Sequence, residues 1–178
     1  GTDEQKQRYL PGMATGEIIG SFCLTEPDSG SDAASLKTTA KKVEGGYVLN
    51  GTKMWITSGG IAKTYIVMAR TGGEGSKGVS AFIIRDGAKG FTFGKAEKKM
   101  GWKTSPTREL VFQNCLVPAE DMLLNEGQGF TVAMGGLDRG RTSIAAIGVG
   151  CAQRALDEAV KYSLTREQFK QPIFDFQG

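Results

Sequence analysis

The feature that most constrains this chain is a succession of short strand-like segments with no helix between them. Each segment is rich in β-branched or aromatic residues and is bounded by glycines or Asn-Gly, Ser-Gly and Asp-Gly pairs, which are typical of tight turns. The segments are residues 18–24, 37–44, 47–50, 53–57, 64–70, 78–84 and 109–117. Because strands that follow one another directly tend to pair antiparallel, the pattern predicts an antiparallel β-barrel or sandwich.

Helical patterns flank this β region. Thr2 and Gln5 fit a capping box, and Pro11 predicts that a first helix ends near Tyr9 and Leu10. Helical periodicity returns from about Gly129 to Thr165, Gln171-Pro172 then breaks the chain, and residues 173–177 resemble the first turn of another helix. The fold class that we expect is mainly β with flanking helical segments. Its parts are the end of an N-terminal helical domain (1–16), a middle β-barrel domain (17–125) and the start of a C-terminal helical domain (126–178).

The composition excludes several kinds of chemistry. The chain contains no histidine, which removes Ser-His and Cys-His nucleophile systems and the commonest transition-metal ligand. Cys23, Cys115 and Cys151 lie far apart without a CxxC pair, so we expect buried free thiols and no metal site. The net charge of +3 is dispersed, and no apolar leader or spanning segment is visible, so we expect a soluble protein without nucleic acid. Redox chemistry would therefore need an organic cofactor.

Two segments carry groups that can bind a ligand. Residues 24–32 join a strand to a hydroxyl-rich turn in which Gly30 can bring backbone N–H groups close to a phosphate or a polar ring edge. Residues 53–60 place Trp55 and Thr57 on one strand face, so that an aromatic plane and a hydroxyl point the same way. Each segment alone is explained as well by an ordinary Asx turn, or by a core tryptophan beside a surface threonine.

Taken together, the segments resemble the acyl-CoA dehydrogenase family over residues 2–177. The resemblance rests on the order and spacing of Tyr9-Leu10-Pro11, the TEPxxGSD pattern at 25–32, the NGxKxWIT pattern at 50–57, Ala152-Gln153-Arg154-Ala155-Leu156 and Arg166-Glu167-Gln168-Phe169. In that family a β-domain lies between two helical domains and holds FAD, with acyl-CoA on the other side of the flavin ring. The resemblance implies an oxidoreductase of fatty acid metabolism and β-oxidation that converts acyl-CoA to enoyl-CoA.

The resemblance also assigns residues to the cofactor. The flavin edge and the pyrophosphate would be lined by Phe22, Leu24, Thr25, Gly30 and Ser31. The isoalloxazine would lie against Trp55, Ile56 and Thr57, with Thr57 toward N5. The adenine half of FAD in a neighbouring subunit would be contacted by Arg166, Gln168, Phe169 and Gln177. The implied assembly is at least a dimer, commonly a tetramer (a dimer of dimers).

Substrate contacts follow in the same way. Asp138 and Arg141 project from one face of the long helix and match positions that contact CoA. From residue chemistry alone, Asp138 and Arg141 would be an ordinary surface ion pair. The counterpart of Ser31 in the family lies where the cofactor and substrate channels meet. In the isovaleryl and long-chain branches the catalytic base is on this helix, at the position of Gly140. We therefore expect the base to lie beyond Gly178, with no catalytic residue in this chain, and acyl chain length is not determined.

Some positions depart from the family pattern. Asp28 would be unfavourable near a pyrophosphate, so we expect it to point to water, and Lys170-Gln171 replaces the usual Gly-Lys after Phe169. Residues 72–78 lack a GKS/T ending and predict a mobile hairpin instead of a phosphate loop.

The functional alternatives are an acyl-CoA oxidase or monooxygenase on the same scaffold and a non-catalytic binding or assembly module. For the dehydrogenase, the resemblance implies electron-transfer flavoprotein as the electron acceptor. It also implies a bacterial cytoplasm or the mitochondrial matrix as the compartment.

Overall fold

The computed structural model describes residues 1–176, and Gln177 and Gly178 lie outside the described residues. The chain forms two compact units, of which the first is Gly1–Met134 and the second begins at Gly135. The α-helices are α1 (Asp3–Ala14) and α2 (Gly129–Thr165). The strands are β1 (Gly20–Cys23), β2 (Thr39–Val43), β3 (Gly46–Thr57), β4 (Thr64–Arg70), β5 (Val79–Arg85), β6 (Phe91–Ala96), β7 (Thr107–Pro118), β8 (Met122–Leu123), β9 (Glu167–Gln168) and β10 (Gln171–Pro172).

Helix α1 begins as predicted but extends further than predicted. The Thr2 hydroxyl accepts a hydrogen bond from the Gln5 N–H at 3.2 Å, and the Gln5 side chain accepts one from the Thr2 N–H at 2.9 Å. Pro11 does not end the helix, which continues to Ala14. The chain turns at Gly16 instead, where φ is +79°, the left-handed conformation that commonly terminates helices. The prediction that Pro11 stops this helix was therefore wrong.

The first unit is built on a single sheet of eight strands, and the mainly β fold with flanking helix is confirmed. The strand order is β6-β7-β3-β2-β4-β5-β8, with β1 paired to β4. Most neighbours are antiparallel, but β1 and β2 each pair with β4 in parallel. Within residues 1–176 no pairing joins β6 to β8, so the sheet is not closed into the barrel that the sequence suggested.

Asn50-Gly51 was predicted to be a turn and is instead the middle of the long strand β3. The β2–β3 hairpin turns earlier, at Gly45, where φ is +77°. Gly51 has φ of +147° and lies at a shift in register between β3 and β7. A Cβ atom at Gly51 would lie 2.7 Å from the Cα of Thr38. Glycine therefore allows a bulge and a close approach of two backbones in the sheet.

One hydrophobic core joins most strands of the sheet. Its aromatic centre is Phe91, which stacks on Phe112 at 5.0 Å between ring centroids and meets Tyr65 edge-on at 4.9 Å. Cys23 and Cys115 are buried beside these rings, and burial raises the pKa of their thiols to about 12 and about 11. These two are the inert thiols that were predicted. Cys151, in contrast, is exposed, so the prediction was wrong for that residue.

The second unit contains most of α2 and a small hairpin. The bounds of α2 agree with the predicted helix, and its apolar residues Ile144, Ile147 and Leu156 are exposed. Strands β9 and β10 pair antiparallel, and a 3₁₀ turn follows at Ile173–Asp175, where the first turn of a helix was predicted. Among the described residues, no helix combines the length and apolar character needed to span a lipid bilayer.

Candidate functional site

A buried ion pair connects the two segments that the sequence singled out. Lys53 of β3 is completely buried, and its Nζ donates to Glu26 Oε1 at 2.7 Å and to the Leu24 carbonyl at 3.0 Å. The Glu26 carboxylate also accepts the backbone N–H of Lys37 at 2.6 Å and that of Thr38 at 3.0 Å. The pair therefore links the segment after β1 to β3 and to the residues that precede β2.

The charge state of Glu26 follows from these contacts. Burial alone would raise the pKa of the carboxyl, but the charge and hydrogen bond of Lys53, together with the hydrogen bonds from Thr38 and Lys37, lower it below its ordinary value. Burial lowers the pKa of Lys53, and the neighbouring carboxylate opposes that shift. The site thus contains an ionised carboxylate in the interior, held by donors on three sides.

The turn after Glu26 is closed by its own backbone. The N–H of Glu26 donates to the Ser29 carbonyl at 2.9 Å, and the N–H of Ser29 donates to the Glu26 carbonyl at 3.2 Å. The buried Ser29 hydroxyl donates to the Asp32 carbonyl at 2.7 Å. Gly30 and Ser31, between these anchors, are exposed. Their exposure agrees with a turn that presents its tip to a ligand.

The chain from Ser21 to Thr25 runs alongside the end of β3. The Ser21 hydroxyl donates to the Thr57 carbonyl at 2.6 Å, and the Met54 N–H donates to the Thr25 carbonyl at 2.9 Å. This pairing brings the segment that contains Phe22 and Thr25 next to the segment that contains Trp55 and Thr57. We call the exposed face formed by Phe22, Thr25, Trp55 and Thr57 the WIT surface.

Two of the seven non-glycine residues that have positive φ within residues 1–176 lie in or beside the WIT surface. Trp55 has φ of +60° and Ser58 has φ of +64°, and the β3–β7 register shifts between Lys53 and Ile56. Positive φ in a bulky residue is a genuine outlier, and such strain clusters at functional sites. The bulge leaves Trp55 58% exposed and Ile56 2% exposed. Trp55 and Thr57 therefore point outward while Ile56 packs in the core.

Several polar groups of this surface and of the turn beside it have no hydrogen-bond partner among residues 1–176. Within residues 1–176, the hydroxyls of Thr25, Ser31 and Thr57 make no hydrogen bond to another protein group. They are therefore free to bind a polar ligand. Leu24 and Ile56, which were also predicted to bind the cofactor, are buried and contribute little area to the surface.

The remaining candidates lie in the second unit. Arg166, Gln168 and Phe169 are exposed in and beside the β9–β10 hairpin, and Gln177 lies outside the described residues. Asp138 and Arg141 form an exposed ion pair of 3.8 Å on α2. The two-residue hairpin turn has positive φ at both Phe169 (+53°) and Lys170 (+68°). Lys170, where the family usually has glycine, thus adopts a conformation that favours glycine.

The structure also shows the contacts of Asp28 and of the loop at residues 72–78. Asp28 is three-quarters exposed and pairs with the Lys37 ammonium at 3.1 Å, so it points to water as expected. The loop between β4 and β5 is attached to Arg70, whose guanidinium donates to the carbonyls of Gly73 and Gly75 as well as to those of Leu36 and Ala34. The mobility predicted for this loop stays a prediction, and no sequence pattern indicated the Arg70 contacts.

Sequence reasoning assigned no role to Lys53 and Glu26. One signal was present. Lys53 is separated from the buried Tyr47 and Leu49 by an even number of positions in β3, so it is expected on the same inward face. A charged side chain at an inward position requires a partner of opposite charge. The partner was not identifiable, since Glu26 lies on a different segment of the chain.

Comparison with known proteins shows the family to which the chain belongs. Residues 21–115 match the family model of the acyl-CoA dehydrogenase middle domain, and residues 127–178 match that of the C-terminal domain. The chain is 47% identical to the mitochondrial isobutyryl-CoA dehydrogenase of Dictyostelium discoideum and 50% identical to an acyl-CoA dehydrogenase of Bacillus subtilis. Both alignments cover 100% of this chain, with 43% and 47% of the relatives.

A solved structure, the butyryl-CoA dehydrogenase of Megasphaera elsdenii, superposes with a TM-score of 0.96 at 50% identity, over 99% of this chain and 47% of that one. The chain therefore spans less than half the length of the relatives it matches. On the two matching domain models and this degree of identity, the chain belongs to the acyl-CoA dehydrogenase family.

Proposed function

We propose that this chain is the flavin-contacting part of an FAD-dependent acyl-CoA dehydrogenase, which converts an acyl-CoA thioester to the enoyl-CoA by α,β-dehydrogenation. The observation that carries the proposal is the WIT surface, where a strained, exposed indole lies beside the unpaired hydroxyls of Thr25 and Thr57. This combination suits a flat ring system with a polar edge.

The donor set fits FAD. Phe22 and Trp55 would cover the isoalloxazine, Thr25 and Thr57 would donate hydrogen bonds to its polar edge, and Ser31 would lie near the pyrophosphate. Bound FAD supplies the two-electron acceptor that the protein lacks. The Thr57 hydroxyl, as a fixed donor, would stabilise negative charge that develops on the ring. The exposed aromatic side chains would exclude water from the reacting atoms.

The other roles come from the family resemblance. We infer that Arg166, Gln168 and Phe169, with Gln177, bind the adenine half of FAD held by a neighbouring subunit, so that the active form is a homo-oligomer. Asp138 and Arg141 would contact CoA. The catalytic base would lie outside these 178 residues, and electron-transfer flavoprotein would accept the electrons. The domain division at residues 16 and 125 belongs to the same proposal, as does a mitochondrial matrix or bacterial cytoplasmic location.

The decisive experiment uses the full-length protein. Purified enzyme is expected to show a flavin spectrum, and anaerobic butyryl-CoA or isobutyryl-CoA is expected to bleach it. Peroxide is then measured after air is admitted. Bleaching with negligible peroxide supports the dehydrogenase, rapid peroxide formation indicates the oxidase or monooxygenase, and a colourless protein that takes up no FAD indicates a binding or assembly module.

A further inference from the structure

The WIT surface is formed by two chain segments that approach one another from different parts of the sequence. Residues 21–25 comprise the end of β1 and the two residues after it, and residues 54–57 end β3. Hydrogen bonds from Ser21 to Thr57 and from Met54 to Thr25 join them close to the exposed face. The relative position of Thr25 and Trp55 therefore depends on what fixes residues 24–26 against residues 53–54.

The buried ion pair lies directly under this junction. Three consecutive residues, Leu24, Thr25 and Glu26, are each bonded to Lys53 or Met54, at 3.0, 2.9 and 2.7 Å. Lys53 immediately precedes the backbone amide that bonds Thr25, and Glu26 immediately follows Thr25. A change in the pair would therefore be transmitted to the WIT surface through one peptide unit on each of the two segments.

The second function of Glu26 is to close the loop that carries Ser31. Its carboxylate accepts the N–H groups of Lys37 and Thr38, at the far end of that loop. One side chain thus attaches the start and the end of residues 26–38 to the same buried ammonium. Few geometries of the loop satisfy all three donors at once.

Stability alone is a poor explanation for this arrangement. The free energy needed to remove two charges from water can equal or exceed the free energy gained from their attraction. Replacing a buried ion pair by apolar side chains is often neutral or stabilising. The pair lies beneath a segment with positive φ at Trp55, where the backbone would relax if it were not held. A buried pair at this place is better explained by the geometry that it imposes.

We propose that Lys53 and Glu26 are positioning residues for the cofactor surface, which hold the Thr25 hydroxyl and the Ser31 loop in register with Trp55 and Thr57. The inference rests on the proposed function, because it assumes that the WIT surface binds FAD. Neither side chain reaches the surface, so both act only through the backbone.

The test compares Lys53→Met and Glu26→Gln with Lys37→Met in the full-length protein. Lys37→Met is the matched control, because it breaks the exposed pair with Asp28 on the same loop and leaves the buried pair intact. Apoprotein is prepared from each variant. Amide hydrogen exchange is measured for peptides covering residues 22–38 and 50–60, and FAD affinity is measured by quenching of flavin fluorescence.

Both buried-pair variants are expected to exchange faster in those two peptides than in the rest of the sheet. Their FAD affinity is expected to fall at least about tenfold, because only the fraction of molecules with an ordered surface binds. Lys37→Met is expected to match the wild type in both measurements. At saturating FAD, the variants should reduce the flavin more slowly while the KM for acyl-CoA changes little.

A different pattern would overturn the inference. Folded variants that bind FAD like the wild type, with exchange raised evenly over the sheet, would show that the pair serves stability only. Insoluble buried-pair variants beside a soluble Lys37→Met would lead to the same conclusion. Failure of the proposed function itself is separate, since it would appear as wild-type protein that takes up no FAD.

Discussion

Substitution of Gly51 by alanine tests the close approach of β3 to the segment before β2. At Gly51 φ is +147°, a region that is open essentially to glycine, and the added Cβ would lie 2.5 to 2.8 Å from three atoms of Thr38. One of these atoms is backbone, so a side-chain rotation does not relieve the overlap. Strain of about 1–3 kcal/mol and overpacking of about 1–3 kcal/mol together predict a loss of about 2–6 kcal/mol in the free energy of unfolding.

Gly45→Ala is the matched control. Gly45 also has positive φ, +77°, but an added Cβ would meet nothing within 4 Å. Its expected cost is only the left-handed backbone, about 1–2 kcal/mol. Urea unfolding of the full-length apoprotein, followed by circular dichroism, measures both. Because Thr38 donates to Glu26, the Gly51 variant should also lose FAD affinity, and the Gly45 variant should not. Equal losses of stability for the two alanine variants would refute the steric argument.

Three further predictions concern charge, backbone conformation and a hydroxyl. Since the pKa of Glu26 in the folded protein lies below its ordinary 4.5, its contribution to stability is complete above about pH 4.5 and is lost as the pH falls through the folded pKa. Glu26→Gln should therefore flatten the fall in stability between about pH 5 and 3, and an unchanged acid-unfolding curve would contradict this. Lys170→Gly should raise the free energy of unfolding by about 0.5–1 kcal/mol, because φ of +68° suits glycine. Lys161→Gly, at an exposed position near the C-terminal end of α2, should lower it by about 1 kcal/mol. A lower thermal midpoint for Lys170→Gly would contradict this reasoning. Thr57→Val in the complete enzyme should slow flavin reduction in stopped flow more than it weakens CoA binding, and an unaltered reduction rate would remove the role given to that hydroxyl.

The sequence predicted elements where one periodicity continues without interruption. Helix α2 and strand β4 lie at their predicted bounds, because helical spacing and an unbroken apolar run identify them. Strand β6 was missed, since Gly94 and Lys95 interrupt the alternation of Phe91 and Phe93. Asn50-Gly51 was assigned to a turn because the same pair serves hairpins and bulges, and only the distance to Thr38 distinguishes the two.

In the candidate site, the local sequence pattern identified residues of the exposed surface but not the buried residues beneath it. The period of two in a strand predicts that Trp55 and Thr57 share a face. That this face is the exposed one depends on the bulge between Lys53 and Ile56, which reverses the alternation set by the buried Tyr47, Leu49 and Lys53. The positive φ at Trp55 and the partner of Lys53 depend on strands that are distant in sequence, and no local signal encodes them. Whether the sheet closes into a barrel depends on whether its two edge strands pair with each other, and the number of strands does not determine this.

The left-handed conformation of Trp55 has a consequence for the speed of cofactor uptake. The contacts that hold this segment lie within the protein, from Met54 to Thr25 and from Ser21 to Thr57, so the entropy of ordering it is lost during folding and not during association. A preorganised platform of this kind needs little rearrangement when a planar molecule arrives, and backbone shifts at such surfaces stay below about 1 Å. Loading of the apoprotein should therefore proceed in a single bimolecular phase, without a slow conformational step.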